Sequence, residues 1–265
     1  MGTERAPHSS FARRLPQNRL MHTNESYVER TRPGKRLRSR GILPEMTAEA
    51  IAQRCRDILR RVPSGVTVVA AAKGRTPDEI RAALYAGISH IGENYVQDAE
   101  GKRSLVLEPA TWHMIGHLQR NKAARATCLF DWVQTVDTPD LARRLAAARA
   151  LEAAALPVLV EVNIGREEHK AGVLPEAVLP FVRNLTRYPQ LSVRGLMAVP
   201  PVPERPGDSR PHFRALRHLL EELNRERIAD PALDVLSMGM SADWEVAVEE
   251  GATLIRLGTA LFGPR

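Results

Sequence analysis

The chain has 265 residues and a 43% hydrophobic composition, enough to bury the core of one large domain, and no apolar run reaches the roughly 18 residues that a membrane-spanning helix requires. The formal charge of +7 is unevenly spread. Residues 1–45 hold ten Lys/Arg and four Asp/Glu, whereas residues 46–265 hold 28 and 27 and are nearly neutral, so no basic stripe marks the body for nucleic acid.

Residues 1–45 are rich in arginine, carry Pro7, Pro16, Pro33 and Pro44, and show no sustained periodicity. They read as a disordered basic extension. Two origins fit: an upstream start codon with Met46 the true start, or a genuine basic tail or organelle-targeting peptide. The folded domain is expected over 46–265. Thr47 can cap a helix whose apolar positions Ile51, Cys55, Ile58 and Leu59 follow helical spacing. Cys55 and Cys128 lie in no CxxC or Cys/His cluster, which suits a reducing, cytoplasmic setting without a disulfide framework.

From Val66 onward, strand and helix patterns alternate. Strands are expected at Val66–Ala72, Ser89–Gly92, Trp112–Ile115, Trp132–Val136, Val158–Val162, Ser192–Met197, Val235–Met238 and Thr253–Leu257. Helices are expected between them. Pro77–Tyr85 opens with proline and two acids; a helix capped around Asp137–Asp140 runs to Ala155; Pro211–Arg227 repeats apolar residues at helical spacing. Eight such units predict an α/β fold, a single (β/α)8 TIM barrel preceded by a helix and the extension. A doubly wound open sheet is the alternative, but no GxGxxG follows a strand.

A barrel places function at the C-terminal strand ends, with phosphate commonly held after strands seven and eight. Lys73 closes the first, very apolar strand; there it is either a desolvated, nucleophilic amine or a lysine turning into solvent. Strand seven ends in Ser237-Met238-Gly239-Met240-Ser241, where Gly239 lets backbone approach a ligand and Ser241 can cap the next helix or donate to an anion. Strand eight ends in Arg256-Leu257-Gly258-Thr259. Paired Gly/Ser and Gly/Thr turns on adjacent strands suit a phosphate cradle. Arg256 is expected inside the barrel, where it needs a partner. Asn94 and Asn163 fit either ligand contacts or turn residues. His113 and His117 have i, i+4 spacing, but the zinc motif of that spacing needs a helix, so no metal is expected.

Gly92-Glu93-Asn94-Tyr95-Val96-Gln97, the run from Trp112 to Lys122, Gly195–Pro200, Ser237–Ser241 and Arg256–Gly263 together resemble the YggS/PROSC family of pyridoxal-phosphate homeostasis proteins. The resemblance runs from about Val66 to Gly263. It implies the barrel of alanine racemase, with pyridoxal 5′-phosphate held as a Schiff base on Lys73. It further implies that Ser241, Gly258 and Thr259 hold the phosphate and that Arg256 faces the pyridine nitrogen. With Asn94 and Met240 these residues form the expected cofactor-binding set. One departure adjoins the lysine: the family usually has Ser-Lys-Thr, and here the run is Ala72-Lys73-Gly74.

Two functional classes follow. One is a non-catalytic carrier serving cofactor homeostasis, a monomer in transient contact with apo-enzymes that use pyridoxal phosphate. The other is a racemase-like amino-acid enzyme. An arginine against the pyridine nitrogen makes the ring a weaker electron sink, and racemisation needs a second acid/base, supplied in alanine racemase by a partner subunit. The chain stops shortly after strand eight, without the β domain that follows the barrel in alanine racemase. The carrier reading is therefore expected. A third reading, a Schiff-base aldolase acting on a sugar phosphate through Lys73, would more often take its lysine from a later strand.

Overall fold

Eight parallel strands follow one another around a closed barrel in chain order: β1 (Thr67–Ala71), β2 (His90–Glu93), β3 (Thr111–Met114), β4 (Trp132–Val136), β5 (Leu156–Glu161), β6 (Leu191–Met197), β7 (Val235–Ser237) and β8 (Leu254–Leu257). β8 pairs back on β1, with Val69 opposite Arg256 and Ala70 opposite Leu257. The computed structural model describes residues 47–150, 152–205 and 207–264. The expected extension over 1–45 lies outside the described residues.

Helix α1 (Ala48–Arg61) precedes the barrel. Helices α2 (Pro77–Tyr85), α3 (Val96–Arg103), α4 (Ala123–Leu129), α5 (Pro139–Ala148), α6 (Pro175–Leu185), α7 (Arg210–Arg225) and α8 (Trp244–Glu249) alternate with the strands, and the short α9 (Thr259–Phe262) follows β8. The expected (β/α)8 barrel is therefore the observed fold. Among the described residues, no helix is long and apolar enough to cross a membrane.

Local chemistry sets the helix starts. Thr47 accepts from the Ala50 amide at the head of α1. Thr76 and Glu79 form a reciprocal capping box on α2, and Thr138 caps α5. Helix ends depart further from expectation. α5 stops at Ala148, not Ala155, because Arg149 leaves the helix in an extended conformation and its side chain binds the carbonyls of Ala154 and Thr127. The residues thus released let β5 begin at Leu156, two residues early. α7 ends at Arg225, and Arg227 beyond it has a φ of 50°.

Alternate strand residues face opposite sides. One set, including Val68, Ala70, Ile91, Val133, Val158, Val160 and Ile255, packs under the helices. The other faces inward, where Val69, Leu159, Met197 and Leu254 are buried. Glycines admit close approach where the wall is tight. A Cβ on Gly195 would lie 1.9 Å from the Val235 carbonyl oxygen, so no side chain fits between β6 and β7 there. Cys55 is buried, Cys128 exposed, and both are free.

Candidate functional site

Lys73 continues the inward series Val69, Ala71, Lys73 just past the end of β1, so strand alternation aims it into the mouth of the barrel. It is half-buried, with Nζ 5.2 Å from the centroid of the Tyr95 ring. The backbone before it is held on both sides. The Ala72 amide donates to the Gly92 carbonyl at 2.8 Å. The Ala72 carbonyl accepts from Lys102 Nζ at 2.8 Å, and the same ammonium pairs with Glu93 Oε1 at 2.6 Å. Glu93 is fully buried, and burial pushes its carboxyl upward against the opposing pull of Lys102.

The turn that follows is tied to the end of β8. Arg75, also buried, donates to the Gly263 carbonyl at 2.5 Å, pairs with Glu79 at 3.1 Å and lies over the Phe262 ring. Gly258 sits beside β1: a Cβ there would be 3.7 Å from the Ala71 carbonyl oxygen. Ser241 Oγ accepts from the amides of Gly258 at 3.2 Å and Ala260 at 3.1 Å. The two small-residue turns after β7 and β8 are thus joined to each other, next to the strand end that carries Lys73.

Some of the expected roles change. Ser241 does not cap the helix that follows it. It caps α9, while Asp243, ahead of α8, accepts from the Met240 amide at 2.7 Å and from the Ser209 hydroxyl at 2.8 Å. Gly239 also answers to backbone and packing: its φ is 92°, and a Cβ would meet that of Ala247 at 2.6 Å. Thr259 is exposed at the first position of α9, and Met240 is half-buried in the turn. Asn94 lines a cavity of about 360 Å³ with Tyr95, Met114 and His117. Asn163 is a turn residue. Its amide nitrogen donates to Glu167 O, and its oxygen accepts from Glu167 N. His113 and His117 do not converge: His113 is buried, whereas His117 is largely exposed and lies 3.7 Å from Asp137.

Arg256 is inside the barrel, 4% exposed. It donates to Ser237 Oγ and, at 2.9 Å, to the Ala198 carbonyl. Burial lowers its pKa to about 10, opposed by the charges of Glu161 and Asp243. Glu161, at the end of β5, is pushed up to about 7 by burial and by Asp137, and its Oε2 is buried with no hydrogen-bond partner among the described residues. Glu161 and Lys102 are additions to the site that local motifs did not signal. Glu161 reads in sequence as a strand terminus and Lys102 as one more charge on a helix.

Fold and site together define a class. The chain matches the family model described as alanine racemase, N-terminal domain, over residues 46–265. Similarity to whole alanine racemases is in fold alone: that of Corynebacterium glutamicum is 16% identical, with a TM-score of 0.68, and the match covers 83% of this chain and 62% of that one. Nearer relatives are more specific. The pyridoxal phosphate homeostasis protein of Vibrio cholerae is 38% identical over 226 residues, which are 82% of this chain and 91% of that protein. That of Aquifex aeolicus is 42% identical over 202 residues, 75% of this chain and 86% of the other. PipY of Synechococcus elongatus, solved with PLP bound, has a TM-score of 0.74 at 36% identity, and the match covers 80% of this chain and all of PipY. The chain belongs to the pyridoxal phosphate homeostasis protein family.

Proposed function

We propose that this barrel binds pyridoxal 5′-phosphate covalently through Lys73 and serves intracellular cofactor homeostasis and carriage, not amino-acid turnover. The donor set fits the group. An aldehyde needs an amine, and Lys73 supplies one at the mouth. A phosphate needs hydroxyls and amides, which Ser241, Gly258 and Thr259 place together. A pyridine nitrogen needs a donor, and Arg256 is a buried one. Asn94 and Met240 complete the contacts. The carrying observation is that the joined Ser241–Gly258 turn abuts Ala71, two residues before Lys73.

When bound, the cofactor supplies a conjugated electrophilic carbonyl. The protein's part is to hold and orient it. Lys73 anchors the carbon, the two turns bind the anion, and Arg256 faces the ring nitrogen without surrendering its proton, since even a pKa of about 10 keeps it charged at neutral pH. A ring nitrogen left unprotonated withdraws electrons weakly, which favours storage over carbanion chemistry. The protein acts as a cytoplasmic monomer that meets recipient apo-enzymes transiently, without nucleic acid.

The test is a visible spectrum of the purified protein incubated with pyridoxal phosphate, repeated with Lys73→Ala, and followed by borohydride treatment and peptide mass analysis. The expected result is a visible band lost in the variant and a reduced adduct on Lys73. An unchanged band in Lys73→Ala refutes the anchor; amino-acid racemisation at an ordinary enzymatic rate refutes carriage.

A further inference from the structure

A chain of polar side chains crosses the inside of the barrel from β2 to β8. His90 Nδ1 and His113 Nε2 are 2.9 Å apart. His113 Nδ1 and Gln134 Nε2 are 2.9 Å apart. Ser237 Oγ lies 2.7 Å from Gln134 Oε1, and Arg256 donates to Ser237 Oγ. β4 and β7 are separated around the wall by β5 and β6, so the bond from Gln134 to Ser237 must span the interior. His113, Gln134, Ser237 and Arg256 are all buried, and His113 stacks on Trp132 with ring centroids 5.6 Å apart.

The donor sense follows from the chemistry of each group. A guanidinium can only donate, so Ser237 Oγ accepts from it. The serine proton then goes to the amide oxygen of Gln134. The Gln134 amide nitrogen donates to His113 Nδ1, which must carry a lone pair. His113 is therefore protonated on Nε2 and donates to His90 Nδ1. Every acceptor dipole turns its negative end toward Arg256, and no link can be reversed alone.

We propose that His90, His113, Gln134 and Ser237 form a directional relay that positions Arg256, holding its guanidinium charged and fixed toward the mouth of the barrel. This rests on the proposed cofactor reading only for what Arg256 faces; the sense of the relay belongs to the protein alone. The depressed basicity of His113, about 3 and caused first by burial and then by His90, agrees with a ring that stays neutral. The four are positioning residues; within this polar chain only Arg256 would touch the cofactor.

Two measurements test the relay. The first is ¹⁵N NMR of histidine-labelled protein without added cofactor, with signals assigned through His90→Gln and His113→Gln. His113 should be the Nε2–H tautomer, with His90 Nδ1 unprotonated. In Gln134→Glu the carboxylate can only accept, so His113 should switch to Nδ1–H and accept at Nε2 from a reversed His90. An Nδ1–H tautomer for His113 in the native protein, or no switch in Gln134→Glu, overturns the relay. The second is pyridoxal phosphate affinity and band position in Ser237→Ala. Loss of a hydrogen bond to a charged group is expected to weaken binding roughly tenfold to a hundredfold and to move the visible band, with borohydride still fixing the cofactor to Lys73. Unchanged affinity and band in the folded variant overturn the positioning role, whereas loss of labelling at Lys73 in the native protein would sink the cofactor reading and leave the relay standing.

Discussion

Arg256 is a buried cation and Glu161 a half-buried acid with one carboxylate oxygen buried, and their charges pull on each other. Glu161 lowers its own cost by holding a proton, since burial and the nearby Asp137 carry its pKa to about 7. The consequence for stability has a definite sign. An acid whose folded pKa is raised above its ordinary value near 4.5 binds more protons folded than unfolded between those limits. Stability from this group is therefore complete below about pH 4.5 and is lost as pH rises through about 7. Glu161→Gln should remove that slope, shrinking the drop in Tm between about pH 5 and 8 by roughly 3–6 °C. Asp137, raised in the same direction by burial, should leave a residual slope. Thermal melts across pH check this; parallel native and variant profiles would mean that Glu161 is ionised throughout.

Between elements, the decisive links are ones that the sequence pattern does not announce. Lys102 on α3 reaches both Glu93 at the end of β2 and the Ala72 carbonyl past β1, so one ammonium fastens a helix to the two strand ends flanking Lys73. It is 13% exposed, and its partner is fully buried. Lys102→Met should leave a buried carboxylate unpaired, at a cost of about 3–5 kcal/mol in urea unfolding, and Glu93→Gln in the same chain should recover part of the loss. Equal losses in the single and double variants would deny the pairing. The starts of α1, α2 and α5 were legible because their signals are local: Thr47 and Thr138 accept from amides three residues on, and Pro77 with its acids opens α2. The two small-residue turns after β7 and β8 were legible because each is a short contiguous run. The relay was not, because Gln134 and Ser237 stand 103 residues apart, and a parallel strand's apolar texture gives no register across a barrel. The packing demand on Gly239 was hidden for a related reason, since its neighbour Ala247 belongs to the next helix.

For the whole molecule, closure decides what can stand alone. All eight strands pair within residues 67–257, α1 carries its own cap at Thr47, and α1 packs on α2 and α9. Every element of the barrel and every proposed cofactor contact thus lies in residues 46–265, a segment close to neutral, whereas residues 1–45 carry a net +6. Folding and retention on a cation exchanger should therefore separate cleanly. A chain of residues 46–265 is expected to melt within about 2 °C of the full chain, less than the shift that 1 kcal/mol brings in a domain of this size, and to give the same visible spectrum with pyridoxal phosphate. It should also elute from a cation exchanger at lower salt, because retention tracks the charge that has been removed. A barrel that melts far lower, or that loses the cofactor band, would place part of the folding or binding energy in residues 1–45. Equal retention would place the cationic surface on the barrel itself and reopen the nucleic-acid reading that its charge balance argues against.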